Sequence, residues 1–95
     1  MYALKEAIIE KLGTVIDPET GADVVRMRLI EDLEVDEAGR VQYVFRPSSP
    51  VCPIAVHLAQ QIKQAVAQVP GVTAQTITVT GYVAAEELTK LINEE

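Results

Sequence analysis

The chain has no tryptophan, one phenylalanine and one cysteine in 95 residues. A lone thiol, Cys52, permits no intrachain disulfide, so a disulfide scaffold is excluded and a reducing cytosol is favoured. It also denies the chain the paired thiols of a zinc finger. Basic residues are scarce: eight Lys and Arg stand against fourteen Asp and Glu, a formal net charge of −6. That balance lacks the electropositive footprint of a nucleic-acid module and is repelled by anionic lipid. Nucleic acid and membrane are therefore not expected among its partners. G-x-G-x-x-G, the P-loop and H-E-x-x-H are all missing. The uncharged stretch 64–85 is interrupted by Pro70, Gly71, Gly81 and several Gln and Thr, which are costly in lipid. The N-terminal segment mixes Lys5, Glu6, Glu10 and Lys11 with its apolar residues and resembles neither a signal peptide nor a transit peptide. The expectation is a soluble, cytoplasmic protein.

What is present suits one domain over residues 1–95, with 48% apolar and 23% charged residues. Leu4, Ile8, Ile9 and Leu12 fall at helical spacing within 3–12, before Gly13. Asp17 before Pro18 suits a helix cap, and a short helical turn is expected to run toward Met27. Segments 29–35 and 40–45 flank Asp36-Glu37-Ala38-Gly39 and read as a β-hairpin, with Val41, Tyr43 and Phe45 on one side. From Pro53 to Val69, the residues Ala55, Leu58, Ile62, Ala65, Val66 and Val69 form a helical stripe that Pro70-Gly71 ends. Val72–Thr80 is rich in β-branched residues and reads as a third strand. A terminal helix is expected at about 84–93, with Glu86 and Glu87 near its positive end. Strand, helix and strand in succession imply a right-handed crossover and a parallel pair. The fold class is α+β: two layers, a mixed three-stranded sheet with helices packed on it.

Charge is unevenly placed. Residues 38–85 contain no Asp or Glu, and their only charged groups are Arg40, Arg46 and Lys63. Such a stretch suits a buried strand–helix–strand core, or a reactive group kept away from like charge. Cys52 is the candidate for that group. The residue before Pro53 is pushed away from helical geometry, and proline favours the first helical position, so Cys52 is expected at the N-cap of the long helix. There a thiol loses its proton more easily. The alternative is a small buried hydrophobe. His57 lies five residues on, off the facing positions, and suits a surface histidine better than a catalytic base. A cluster needs about four ligands, so one thiol per chain points to transient handling. Asp32, Glu34 and Asp36 alternate as on the solvated side of a strand and lack the spacing of a calcium loop.

Several motifs occur in order: Val15-Ile16-Asp17-Pro18-Glu19-Thr20-Gly21, Asp23-Val24-Val25, Ser48-Ser49-Pro50-Val51-Cys52-Pro53 and Val69-Pro70-Gly71-Val72. In these the chain resembles, over about residues 3–80, the small iron–sulfur cluster assembly proteins related to SufT and PaaD. The resemblance implies a compact α/β domain that assists maturation of iron–sulfur proteins and is not an enzyme. It implies iron or a cluster bound transiently, with Cys52 as the candidate metal ligand and Asp17 and Ser48 shaping its surroundings. Ser48 stands where the family usually has threonine, and Arg28 replaces a usual glycine. Glu19 and Arg28 are candidates for an interaction surface. Assembly proteins, client proteins and a second copy are the implied partners. The alternative function is a protein-interaction adaptor in which Cys52 is structural.

Overall fold

The computed structural model describes residues 2–18, 20–48, 50, 51 and 54–94. The elements run α1 (Tyr2–Leu12), β1 (Ile30–Val35), β2 (Arg40–Phe45), α2 (Ala55–Ala67), β3 (Ala74–Val79) and α3 (Ala85–Glu94). The sheet order is β1-β2-β3, with β1 antiparallel to β2 and β2 parallel to β3. This is the mixed α+β sheet expected from the sequence. Tyr43 pairs with Ile77 and Phe45 with Val79, and with Val41 these side chains form the buried face. On the other face Gln42, Thr76 and Thr78 are exposed, so the helices cover one side only. α2 contributes Ala55, Leu58, Ala59, Ile62, Ala65 and Val66 to the core, α1 contributes Ile8 and Leu12, and α3 contributes Leu88 and Ile92. No helix among the described residues is long and apolar enough to cross a membrane.

Side chains finish what the backbone ladders leave open. β3 has a free outer edge, and α3 covers it. Asn93 Oδ1 accepts the Ile77 N–H at 2.9 Å, Asn93 Nδ2 donates to the Ile77 carbonyl at 2.8 Å, and Thr89 Oγ1 accepts the Val79 N–H at 2.9 Å. The helix thus stands in for a fourth strand. Glu86 and Glu87 occupy its first turn, as expected, but its last turn has no basic residue of its own. The cation comes from α2, where Lys63 Nζ donates to the Ile92 carbonyl.

Three local expectations are corrected. The helical turn before β1 is capped by Asp23, whose Oδ1 accepts the Arg26 N–H at 2.8 Å, and so starts six residues after Asp17, the cap expected from the sequence. It is a single turn, with the Met27 N–H donating to the Asp23 carbonyl. The alternation of β1 breaks between Glu31 and Glu34, where Asp32 takes φ 52°, and Asp36 leaves the strand to hold the hairpin turn. The N-cap of α2 is Ile54, with no side-chain cap bond. Pro53 is therefore followed by a further non-helical residue, and the position assigned to Cys52 belongs to Ile54.

Candidate functional site

Cys52 and Glu19 lie outside the described residues, so the site is built from their neighbours. Upstream of Cys52, Ser48, Pro50 and Val51 are exposed, Val51 to 71%. Downstream, Ile54 is half-buried and Ala55 enters the core. The loop is anchored from across the molecule: the Val83 N–H donates to the Pro50 carbonyl at 2.7 Å. That bond puts Val83, itself 77% exposed, next to Val51 at the surface. Proline cannot donate, so a segment with Pro47, Pro50 and Pro53 depends on its carbonyls for such anchors.

Asp17 is 2% exposed and sits in a tight loop. Its N–H donates to the Ala22 carbonyl at 2.9 Å, and its carbonyl accepts the Gly21 N–H at 2.8 Å. An isolated bridge between Ile16 and Asp23 closes this loop, and Thr20 Oγ1 donates to Met27 Sδ at 3.2 Å. Among the described residues no buried side-chain nitrogen or oxygen lacks a partner. A buried carboxylate with its bonds satisfied holds a loop in shape. His57 lies exposed on α2, and among the described residues no three His, Cys, Asp or Glu converge as metal ligands.

Ser48 opens onto a cleft of about 510 Å³ that it shares with Met27, Arg28, Leu29, Ile30, Glu31, Arg46 and Pro47. The cleft wall is built by the end of the short helical turn. The Arg28 N–H donates to the Val25 carbonyl and the Leu29 N–H to the Val24 carbonyl, each at 3.0 Å. Those paired bonds are a Schellman closure, and Arg28 is its left-handed residue, with φ 58°. Glycine is favoured there because any Cβ costs about 1 kcal/mol. Arg46 follows β2, and its N–H donates to the Leu29 carbonyl at 2.8 Å. A Cβ at Gly81 would lie 3.2 Å from Arg46 Cγ and Nε, so the Gly81 backbone seats the guanidinium stem. The structure thus brings Ser48 and Arg28 together and adds Arg46, which sequence reasoning did not single out. Its one signal was the lack of carboxylates over residues 38–85. Asp17 does not line this cleft.

With this geometry in place, likeness to known proteins decides the family. A model of the family described as iron–sulfur cluster assembly protein matches residues 5–79. The chain belongs to that family. An uncharacterized protein of Methanocaldococcus jannaschii is 36% identical over 91 residues, 96% of each chain. The iron–sulfur protein maturation auxiliary factor YitW of Bacillus subtilis is 39% identical over 70 residues, 74% of this chain and 69% of that protein. Among solved structures, a domain of unknown function from Bacillus anthracis superposes with a TM-score of 0.76 at 26% identity, covering 96% of this chain and 89% of that one. In this member of the family the described residues just before the cysteine, Pro50 and Val51, are exposed, and those after it, Ile54 and Ala55, turn toward the core.

Proposed function

We propose that this iron–sulfur assembly protein is a non-enzymatic, cytoplasmic maturation factor. In this reading Cys52 is a transient ligand for iron or a cluster that is cargo, passed on to client proteins. The observation that carries this reading is the outward placement of Ser48, Pro50 and Val51 just before the thiol, on a loop tied down by the Val83–Pro50 bond. A ligand that must both take and release a soft metal needs such access. One thiol per chain leaves the remaining ligands to a partner, a small molecule or a second copy. Ser48 and Asp17 act on the loop without touching the cargo: Ser48 lines the adjoining cleft, and Asp17 stiffens the 16–23 loop. The test is anaerobic reconstitution with iron and sulfide, followed by metal counting. Cys52→Ser should lose most of the bound iron while its circular dichroism is unchanged. Equal iron in both proteins would overturn the proposal.

A second reading has its own observation. Val51 and Val83 are each exposed and lie on segments joined by the Val83–Pro50 bond, which favours an adaptor that docks a protein while Cys52 stays structural. Under it, Cys52→Ala leaves the captured client set unchanged and no iron is retained by the wild type.

A further inference from the structure

Arg28 and Arg46 are two of the chain's four arginines, and they line one cleft. Neither guanidinium has an ion-pair or hydrogen-bond partner among the described residues. The chain as a whole is acidic, at net charge −6, yet Glu31 is the one carboxylate on this wall. Both side chains are set by rigid backbone: Arg28 by the Schellman closure at φ 58°, Arg46 by the bond to Leu29 and the close approach of Gly81. An arginine in the left-handed region, where glycine is favoured, holds its side chain on this wall at a conformational cost. Beside the charges lie the half-buried Met27 and Ile30, apolar surface that a bare inorganic anion would leave unused.

We infer that this cleft docks an acidic polypeptide segment, with a carboxylate against the Arg28–Arg46 pair, neighbouring apolar side chains on Met27 and Ile30, and the Ser48 hydroxyl as a neutral donor. Charge complementarity identifies the occupant: arginine forks suit carboxylates, and mixed apolar and cationic lining suits acidic residues interleaved with leucine. The site lies on the same surface as the cysteine loop through Ser48 but does not depend on metal binding by Cys52.

The test is fluorescence anisotropy on the metal-free full chain, with a short labelled peptide of alternating aspartate and leucine and its asparagine counterpart. The wild type should bind the aspartate peptide about five-fold more tightly. Arg46→Gln should lose about three-fold in affinity, as should Arg28→Gly. Arg28→Gly should also melt at higher temperature than the wild type, because glycine relieves the left-handed strain; weaker binding by a more stable protein separates function from folding. Equal binding of the two peptides, or unchanged affinity in both variants, overturns the inference. So does displacement by inorganic phosphate as effective as by unlabelled peptide at matched ionic strength, which would make this a small-anion site. Self-association of the wild type that both variants abolish would assign the cleft to a second copy and overturn it too.

Discussion

Asp36 shows how one side chain replaces several residues of local order. Its Oδ1 accepts the N–H groups of Ala38 and Arg40, each at 2.9 Å, and its Oδ2 accepts Arg40 Nε at 2.6 Å. The Arg40 N–H above all, joined by the Arg40 side chain and the Ala38 N–H, holds the carboxyl below its ordinary value of 3.8 despite the opposing effect of desolvation. A lowered value in the folded state means that this stabilisation is present above pH 3.8 and is lost as pH falls through the lowered value. The Ala38 and Arg40 amide resonances should therefore shift together with a midpoint below 3.8; a midpoint at or above it would show that the turn is not organised this way. The same turn requires Gly39. A Cβ there, at φ 83°, would meet the Gly71 carbonyl oxygen at 2.1 Å, so the hairpin turn and the α2–β3 turn touch backbone to backbone. The sequence marks Gly39 as a turn residue; only the tertiary contact explains why no other residue fits.

Among the elements, α3 has the largest effect on how the sheet ends. Replacing Asn93 with alanine removes both bonds to Ile77 and one to the Thr89 carbonyl, and strips a part-buried strand edge of its partners. Asn93→Ala should cost about 2 kcal/mol in denaturant unfolding and speed amide exchange at Ile77. A stability within error of wild type would mean that water replaces the side chain without loss. The sequence disclosed α3 through Glu86 and Glu87 near its positive end, and α2 through its apolar stripe, because period and burial go together. It did not disclose the role of Asn93 and Thr89, since hydrogen bonding to another element leaves no period. The caps went astray for a related reason. Asp17 and Asp23 both match a capping residue locally, and it is Asp23 whose carboxylate accepts the Arg26 N–H of the helical turn. Likewise, proline preference pointed to Cys52, while the packing of Ala55 in the core starts α2 after Ile54.

At the scale of the whole molecule, one chain of polar contacts crosses the core. The Tyr43 hydroxyl donates to Gln75 Oε1 at 3.0 Å, Gln75 Nε2 donates to the Lys63 carbonyl at 2.9 Å, and Lys63 reaches the Ile92 carbonyl. β2, β3, α2 and α3 are joined in that order. Burial holds the Tyr43 phenol neutral well above its ordinary value of 10.0. Its contribution is therefore complete below pH 10.0 and declines as pH rises past that point toward the raised folded value. Tyr43→Phe should cost about 1 kcal/mol at neutral pH and flatten the fall in stability above pH 10.0, measured by urea unfolding across that range. An unchanged alkaline profile would assign the sensitivity to another group. The fold class and family were legible early because alternation, helical stripes and the 15–25 and 48–53 motifs are local. The Arg28–Arg46 cleft was not, because it unites residues from two segments that only the sheet brings together.

Sealing β3 with side chains also restricts how the molecule can meet others. The opposite rim, β1, is bent at Asp32 and carries Glu31 and Glu34. Neither border offers a straight ribbon of main chain on which a foreign strand could template itself, so fibre-like growth is blocked at both margins. Recognition is left to loops and helix faces, where individual side chains, and with them charge and shape, choose the partner.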